Sequence, residues 1–174
     1  MHASKQRSGR SHQRTSCPPA YAEPLSDRPS RVRNSGLPRH ADTGARPRPR
    51  ALIVDDEEDT RELYAWCLRA AGWVVDGVGN GEEAIRSAAE FEPDVIVMDL
   101  RLPGLGGLEA ARRLKTNEET AHIPIVMCSG ADRVEAEAGA RQAGCDAFVG
   151  KPCLPDDLRV LLESLVAATS GSHG

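Results

Sequence analysis

The chain has 174 residues, enough for one ordinary domain with a tail but short for two domains. Its formal net charge of −4 conceals two opposite parts: residues 1–50 carry eleven Lys or Arg against three acids, a net of +8, and residues 51–174 a net of −12. No apolar stretch is long enough to act as a signal segment or to cross a bilayer, so no membrane partner and a cytoplasmic protein are expected.

Residues 1–50 hold seven of the twelve prolines, many Ser and Arg, and no apolar run at helical or strand spacing. Such a stretch buries too little surface to offset its ordering entropy, so it is read as a disordered basic extension. Its densest patch, "RPRPR" at 46–50, could meet nucleic acid or an acidic partner. With one aromatic, Tyr21, and no folded reader beside it, a solvated tail or linker is favoured and nucleic acid is not an expected partner. An organellar transit peptide has a similar composition but needs an amphipathic helix, which Pro18, Pro19, Pro24, Pro29 and Pro38 would break. A start of translation downstream of Met1 stays open.

From residue 51 onward, short apolar runs alternate with helical patterns. The strand candidates are "ALIVD" (51–55), "WVVDGV" (73–78), "DVIVMD" (94–99), "IPIVMCS" (123–129) and "DAFVGK" (146–151). The first, third and fourth lack polar alternation, as parallel strands buried on both faces do, while the second carries Asp76 and suits an edge. After the first strand, Leu63, Trp66, Cys67 and Ala70 form an apolar stripe at helical spacing, and Gly72 is placed to end that helix. Helices are expected near 81–90, 107–117 and 132–143. The last helix opens with Pro155, Asp156 and Asp157 and repeats the stripe with Leu158, Leu161, Leu162 and Leu165.

These β-α units predict an α/β fold over residues 51–168: a doubly wound, five-stranded parallel sheet with helices on both faces, followed by a short disordered tail at 169–174. Cys17, Cys67, Cys128, Cys145 and Cys153 form no CxxC pair, and four of them sit in apolar contexts, so they read as reduced core residues.

Ligands of open parallel sheets bind beyond the carboxyl ends of the strands. Asp55 and Asp56 stand at the end of the first strand, Asp99 at the third, Ser129 at the fourth and Lys151 at the fifth. Singly, each is an ordinary cap, turn or surface residue; jointly they bring acids, a hydroxyl and an amine to one edge. Crowded carboxylates call for a divalent cation, and Mg²⁺, which takes oxygen ligands and keeps several waters, is the natural one. One Asp could then attack phosphorus as a nucleophile. Asp99 is the best candidate, because it ends a central strand and precedes the Pro- and Gly-rich loop "LRLPGLGG". Lys151 would supply a point charge and Ser129 a hydrogen bond to phosphate oxygens.

"IVDDEE", "DVIVMDLRLPGLGG" with its D-x-x-x-P spacing and Gly107 eight residues beyond Asp99, "IPIVMCSG" and "GCDAFVGKP" closely resemble the receiver domain of two-component response regulators. The resemblance covers residues 51 to about 168. It implies a flavodoxin-like strand order of 2-1-3-4-5. It also implies that Asp99 accepts phosphate from a sensor histidine kinase or phosphotransfer protein. Asp56, with Asp55 acting largely through water, would hold Mg²⁺ together with Asp99 and the backbone carbonyl of Arg101. Ser129 would follow the phosphate, Phe148 would be the switching aromatic, and Lys151 to Pro152 would be a cis peptide. A downstream protein would read the face of helix four, strand five and helix five. On this reading the chain is no enzyme beyond its own phosphorylation and dephosphorylation.

Some positions depart from the pattern. Leu102 replaces a frequent Met, Gly106 a frequent acid and Cys153 a common aromatic, and Phe148 lacks a hydroxyl, so a switch there must work by burial alone. After the last helix only "ATSGSHG" remains, so no output domain is expected. The competing enzyme class is a Mg²⁺-dependent aspartyl-phosphate phosphatase of the haloacid dehalogenase type, which needs D-x-D where this chain reads D-D-E. The competing binding class is a partner-binding module, either a receiver that works without phosphorylation or one whose basic arm contacts nucleic acid.

Overall fold

Strand β1 (Arg50–Val54) is buried from Ala51 to Val54 and runs straight into the acidic stretch. It belongs to a computed structural model that describes residues 23–24, 48–130 and 133–170. The chain continues through α1 (Glu58–Ala70), β2 (Val74–Val78), α2 (Gly81–Phe91), β3 (Val95–Asp99) and α3 (Gly107–Thr116). It ends with β4 (Ile125–Ser129), α4 (Arg133–Gln142), β5 (Ala147–Gly150) and α5 (Pro155–Ser170). The five strands pair in parallel in the order β2-β1-β3-β4-β5. The topology is the expected doubly wound one, with β2 as the half-exposed edge.

Alternating strand residues feed two cores. Leu52, Val54, Ile96, Met98, Ile125, Met127 and Phe148 pack with the alanines of α2, α3 and α4. Ala51, Ile53, Val95, Val97, Val126 and Val149 face Tyr64 and Leu68 of α1 and Leu158, Leu161 and Leu162 of α5. Period-2 alternation between two apolar faces leaves no polar position in β1 after Arg50, nor in β3 or β4 before the strand ends, which is why those strands read as continuous apolar runs.

The structure departs from the sequence reading at three places. The first is the border of the basic extension. Arg50 already belongs to β1: its amide donates to Asp94 Oδ2 at 2.7 Å and its guanidinium lies 4.2 Å from the centre of the Phe91 ring. Arg48 donates to the Gly72 carbonyl at 2.9 Å. Within the extension, Glu23–Pro24 pair antiparallel with β5, opposite Phe148 and Ala147. The rest of residues 1–47 lies outside the described residues, as do residues 171–174; α5 itself runs to Ser170 rather than stopping at 168.

The second concerns α1, which turns a different stripe inward. Tyr64, Ala65 and Leu68 are buried, while Leu63 is 52% and Trp66 69% exposed. Both stripes satisfy helical spacing, so periodicity could not choose between them. The third concerns cysteine: Cys128 and Cys145 are buried, but Cys67 and Cys153 are only half-buried, and Cys17 is outside the described residues.

Candidate functional site

Because all five strands are parallel, their carboxyl ends share one edge of the sheet, and the sequence places the reactive groups there. Asp55 follows β1 and is 3% exposed; Asp56 beside it is exposed; Asp99 ends β3 and is half-buried. One oxygen from each of the three carboxylates lies within 4.8 Å of the others. Lys151, just past β5, donates from Nζ to Asp55 Oδ2 at 2.7 Å and to Asp99 Oδ2 at 2.8 Å. Its ammonium therefore ties the first strand end to the third. Burial disfavours the charge on Lys151, but the hydrogen bonds to Asp55 and Asp99 outweigh it and hold its pKa above the usual lysine value.

Local backbone fixes each group. The Lys151 amide donates to the Ser129 carbonyl at 2.8 Å, so the fourth and fifth strand ends advance together, and the Lys151–Pro152 bond is cis as expected. Asp99 Oδ1 accepts the Arg101 amide at 3.2 Å, which turns the loop back over the carboxylate. Gly107 closes that loop, its amide donating to the Leu100 carbonyl at 3.1 Å. A Cβ at Gly107 would overlap the Asp99 carbonyl, so only glycine lets α3 start this close to the strand end. Arg101 itself is exposed, and its guanidinium reaches toward Gly130.

Asp55 is held at four atoms. Its amide donates to the Val78 carbonyl at 3.1 Å, its Oδ1 accepts the Glu57 amide at 3.0 Å, and its Oδ2 accepts Lys151. Its carbonyl accepts Arg61 Nη1 at 2.6 Å. The sequence reading missed Arg61. The available signal was a cation near the acidic start of α1, opposite two glycines, Gly77 and Gly79, at the neighbouring strand end.

Ser129 is buried at the end of β4, in register with Gly150. Phe148 is 3% exposed and packs in the core with Met127, Ala136 and Ala140. The ring thus occupies an inward position. Below the site, Tyr64 donates its hydroxyl to the Cys153 carbonyl at 3.2 Å, and burial pushes the pKa values of the Tyr64 phenol and the Cys128 thiol above their usual range. The half-buried Cys153 packs against the core beneath α1 and α5, and its thiol donates to the Leu154 carbonyl at 3.4 Å.

Chemically, three oxygen-donor groups stand around one small volume with a single ammonium between two of them. This donor set suits a hard divalent cation such as Mg²⁺, and no imidazole or thiolate among the described residues belongs to the cluster. Asp99 turns one oxygen to Lys151 and the other to the Arg101 amide.

Comparison with known proteins agrees with this geometry. The response regulator receiver domain family matches residues 51–163. The polar-differentiation response regulator DivK of Brucella anthropi is 37% identical over 101 residues, 58% of this chain and 82% of DivK. The phosphate regulon transcriptional regulatory protein PhoB of Pseudomonas aeruginosa is 36% identical over 118 residues, 68% of this chain, which spans about half (52%) of PhoB. Among solved structures, a putative response regulator from Chloroflexus aurantiacus superposes with a TM-score of 0.66 at 29% identity, covering 69% of this chain and 98% of that one. The receiver domain of the sensor histidine kinase PA1611 from Pseudomonas aeruginosa, which has a magnesium ion coordinated in its active-site cleft, gives 0.65 at 28% identity, covering 69% and 98%.

Proposed function

Because this chain belongs to the response regulator receiver domain family, we propose that Asp99 accepts a phosphoryl group from a sensor histidine kinase or phosphotransfer protein in a Mg²⁺-dependent reaction. The observation that carries the proposal is Lys151 spanning Asp55 and Asp99 across two strand ends, with Asp56 completing the acid cluster. An acid cluster alone is common; acids from two strand ends bridged by a lysine from a third support a phosphoryl site.

In this reaction an Asp99 carboxylate oxygen attacks the phosphorus of a phosphohistidine, the P–N bond breaks, and the leaving imidazole takes up a proton. Asp55, Asp56, Asp99 and the Arg101 carbonyl would hold Mg²⁺, which when bound neutralises charge developing on the phosphoryl oxygens. Both Asp55 oxygens are already engaged, by Glu57 and Lys151, which favours contact with the ion through water. Lys151 supplies a fixed positive charge to a phosphoryl oxygen, and the Ser129 hydroxyl moves to donate to another.

The phosphate's effect is conformational. Ser129 moving toward Asp99 changes the space beside Phe148, and the face of α4, β5 and α5 then favours a different protein partner. The ring is already inside, so the readout comes from repacking around it rather than from its entry. The chain acts on no substrate other than its own Asp99.

Incubation with acetyl phosphate and Mg²⁺, followed by intact-mass measurement, tests the reading. One added phosphoryl group is expected, absent in Asp99→Asn and in EDTA; no uptake under any condition overturns it.

A further inference from the structure

Among the described residues, Arg61 is the cation that grips the acid pocket through the backbone. Its Nη1 lies 2.6 Å from the Asp55 carbonyl oxygen, and Asp55 is where β1 ends and the acidic turn begins. The Asp55 amide makes the last bond to the neighbouring strand, at Val78, and the carbonyl of this 3% exposed residue needs a donor of its own. Arg61 reaches it through a slot cut in the edge strand. A Cβ at Gly77 would stand 3.2 Å from both Cγ and Cδ of Arg61, and one at Gly79 would stand 3.8 Å from its Nη1. Gly77 has no positive φ that would require glycine, so the space for Arg61 is the evident use of the missing side chain.

We infer that Arg61 is a positioning residue for the acid pocket. By holding the Asp55 carbonyl it fixes the turn from which the Asp55 and Asp56 carboxylates face Asp99. The inference rests on the Mg²⁺ reading proposed above for the same cluster. A guanidinium suits the role because its fork is rigid and always charged. It also locks the rotation of α1: Arg61, Tyr64 and Leu68 lie on one helical face, so the contact with Asp55 and the burial of Tyr64 and Leu68 select the same orientation.

The sign of one measurement separates positioning from charge. If Arg61 acted only as a nearby positive charge, removing it would tighten binding of a divalent cation. If it positions the turn, removal loosens the ligand set and weakens binding, by about tenfold for a partner of this kind.

The test is calorimetric titration of the full chain with MgCl₂ for the unaltered protein, Arg61→Ala and Gly77→Ala, at a temperature where circular dichroism shows each one folded. Gly77→Ala keeps the charge but presses on the Arg61 stem, so it carries the test if Arg61→Ala does not fold. Trp66→Ala, on the outer face of α1, is the control and should leave affinity unchanged. Weaker Mg²⁺ binding in Arg61→Ala and Gly77→Ala supports the inference. Unchanged or tighter binding in either folded variant overturns it while leaving the Mg²⁺ reading intact. No Mg²⁺ binding by the unaltered protein overturns both.

Discussion

Lys151 and Asp99, fifty-two positions apart in sequence, meet at 2.8 Å, and the same ammonium holds Asp55 at 2.7 Å. Lys151 thus opposes the mutual repulsion of the carboxylates and competes with any cation for their oxygens. Lys151→Met is therefore expected to act in two directions. Mg²⁺ should bind several-fold more tightly, because a competing charge is gone. Phosphorylation by acetyl phosphate should slow by on the order of 100-fold, because a preorganised donor to the transferring group is lost. Titration and single-turnover rates on one preparation check both signs; weaker Mg²⁺ binding or an unchanged rate would rule out the bridging role.

Arg101 places its amide on Asp99 Oδ1 while its exposed side chain leans toward Gly130 across the mouth of the site. We expect this side chain to hinder water attacking an acyl phosphate on Asp99. Arg101→Ala is expected to speed dephosphorylation several-fold while leaving phosphorylation by acetyl phosphate within about twofold, since the backbone contact survives the substitution. Decay of the phosphorylated form, followed by mass after the donor is removed, measures it; an unchanged lifetime counts against the role.

The residues at the strand ends were legible because parallel topology converts five separate apolar runs into one shared edge. Asp55, Asp56, Asp99, Ser129 and Lys151 then followed from where each run stops. Rotation about a helix axis was not legible. The α1 sequence carries two apolar stripes, and what selects Tyr64 over Trp66 is contact with backbone carbonyls outside the helix: that of Cys153, 89 residues away, for Tyr64 and that of Asp55 for Arg61. Pairing of Glu23–Pro24 with β5 was hidden for a related reason, because the pairing partners are backbone groups and the segment has no strand-like composition.

Alkaline stability follows from buried groups near the site. Burial raises the Cys128 pKa above its ordinary 9.0, so the folded state keeps a proton that the unfolded chain releases. Its contribution is complete below pH 9 and is lost as pH climbs from there toward the folded value. Tyr64, raised mainly by burial from 10.0, has the same sign from about pH 10. Lys151, where burial is outweighed by Asp55 and Asp99, follows from 10.5. Calorimetric melting between pH 7 and 11 in reductant should show Tm falling increasingly steeply above pH 9. Cys128→Ala should lack the earliest part of that fall; the same profile as the unaltered protein would contradict this account.

The orientation of α1 makes a sharper demand on stability. Leu68 is buried beneath the helix, so Leu68→Ala is expected to cost about 2–5 kcal/mol in urea unfolding. Trp66 and Leu63 are half exposed or more, so Trp66→Ala and Leu63→Ala should each stay within about 0.5 kcal/mol. Fluorescence gives an independent reading, because the only other tryptophan, Trp73, is 2% exposed. Acrylamide should quench the Trp66 emission readily and the Trp73 emission hardly at all, so Trp66→Phe should remove the quenchable component. A large stability loss in Trp66→Ala would place that stripe in the core. Arg61 would then point away from the Asp55 carbonyl, and the acid pocket would lose the contact that fixes its first turn.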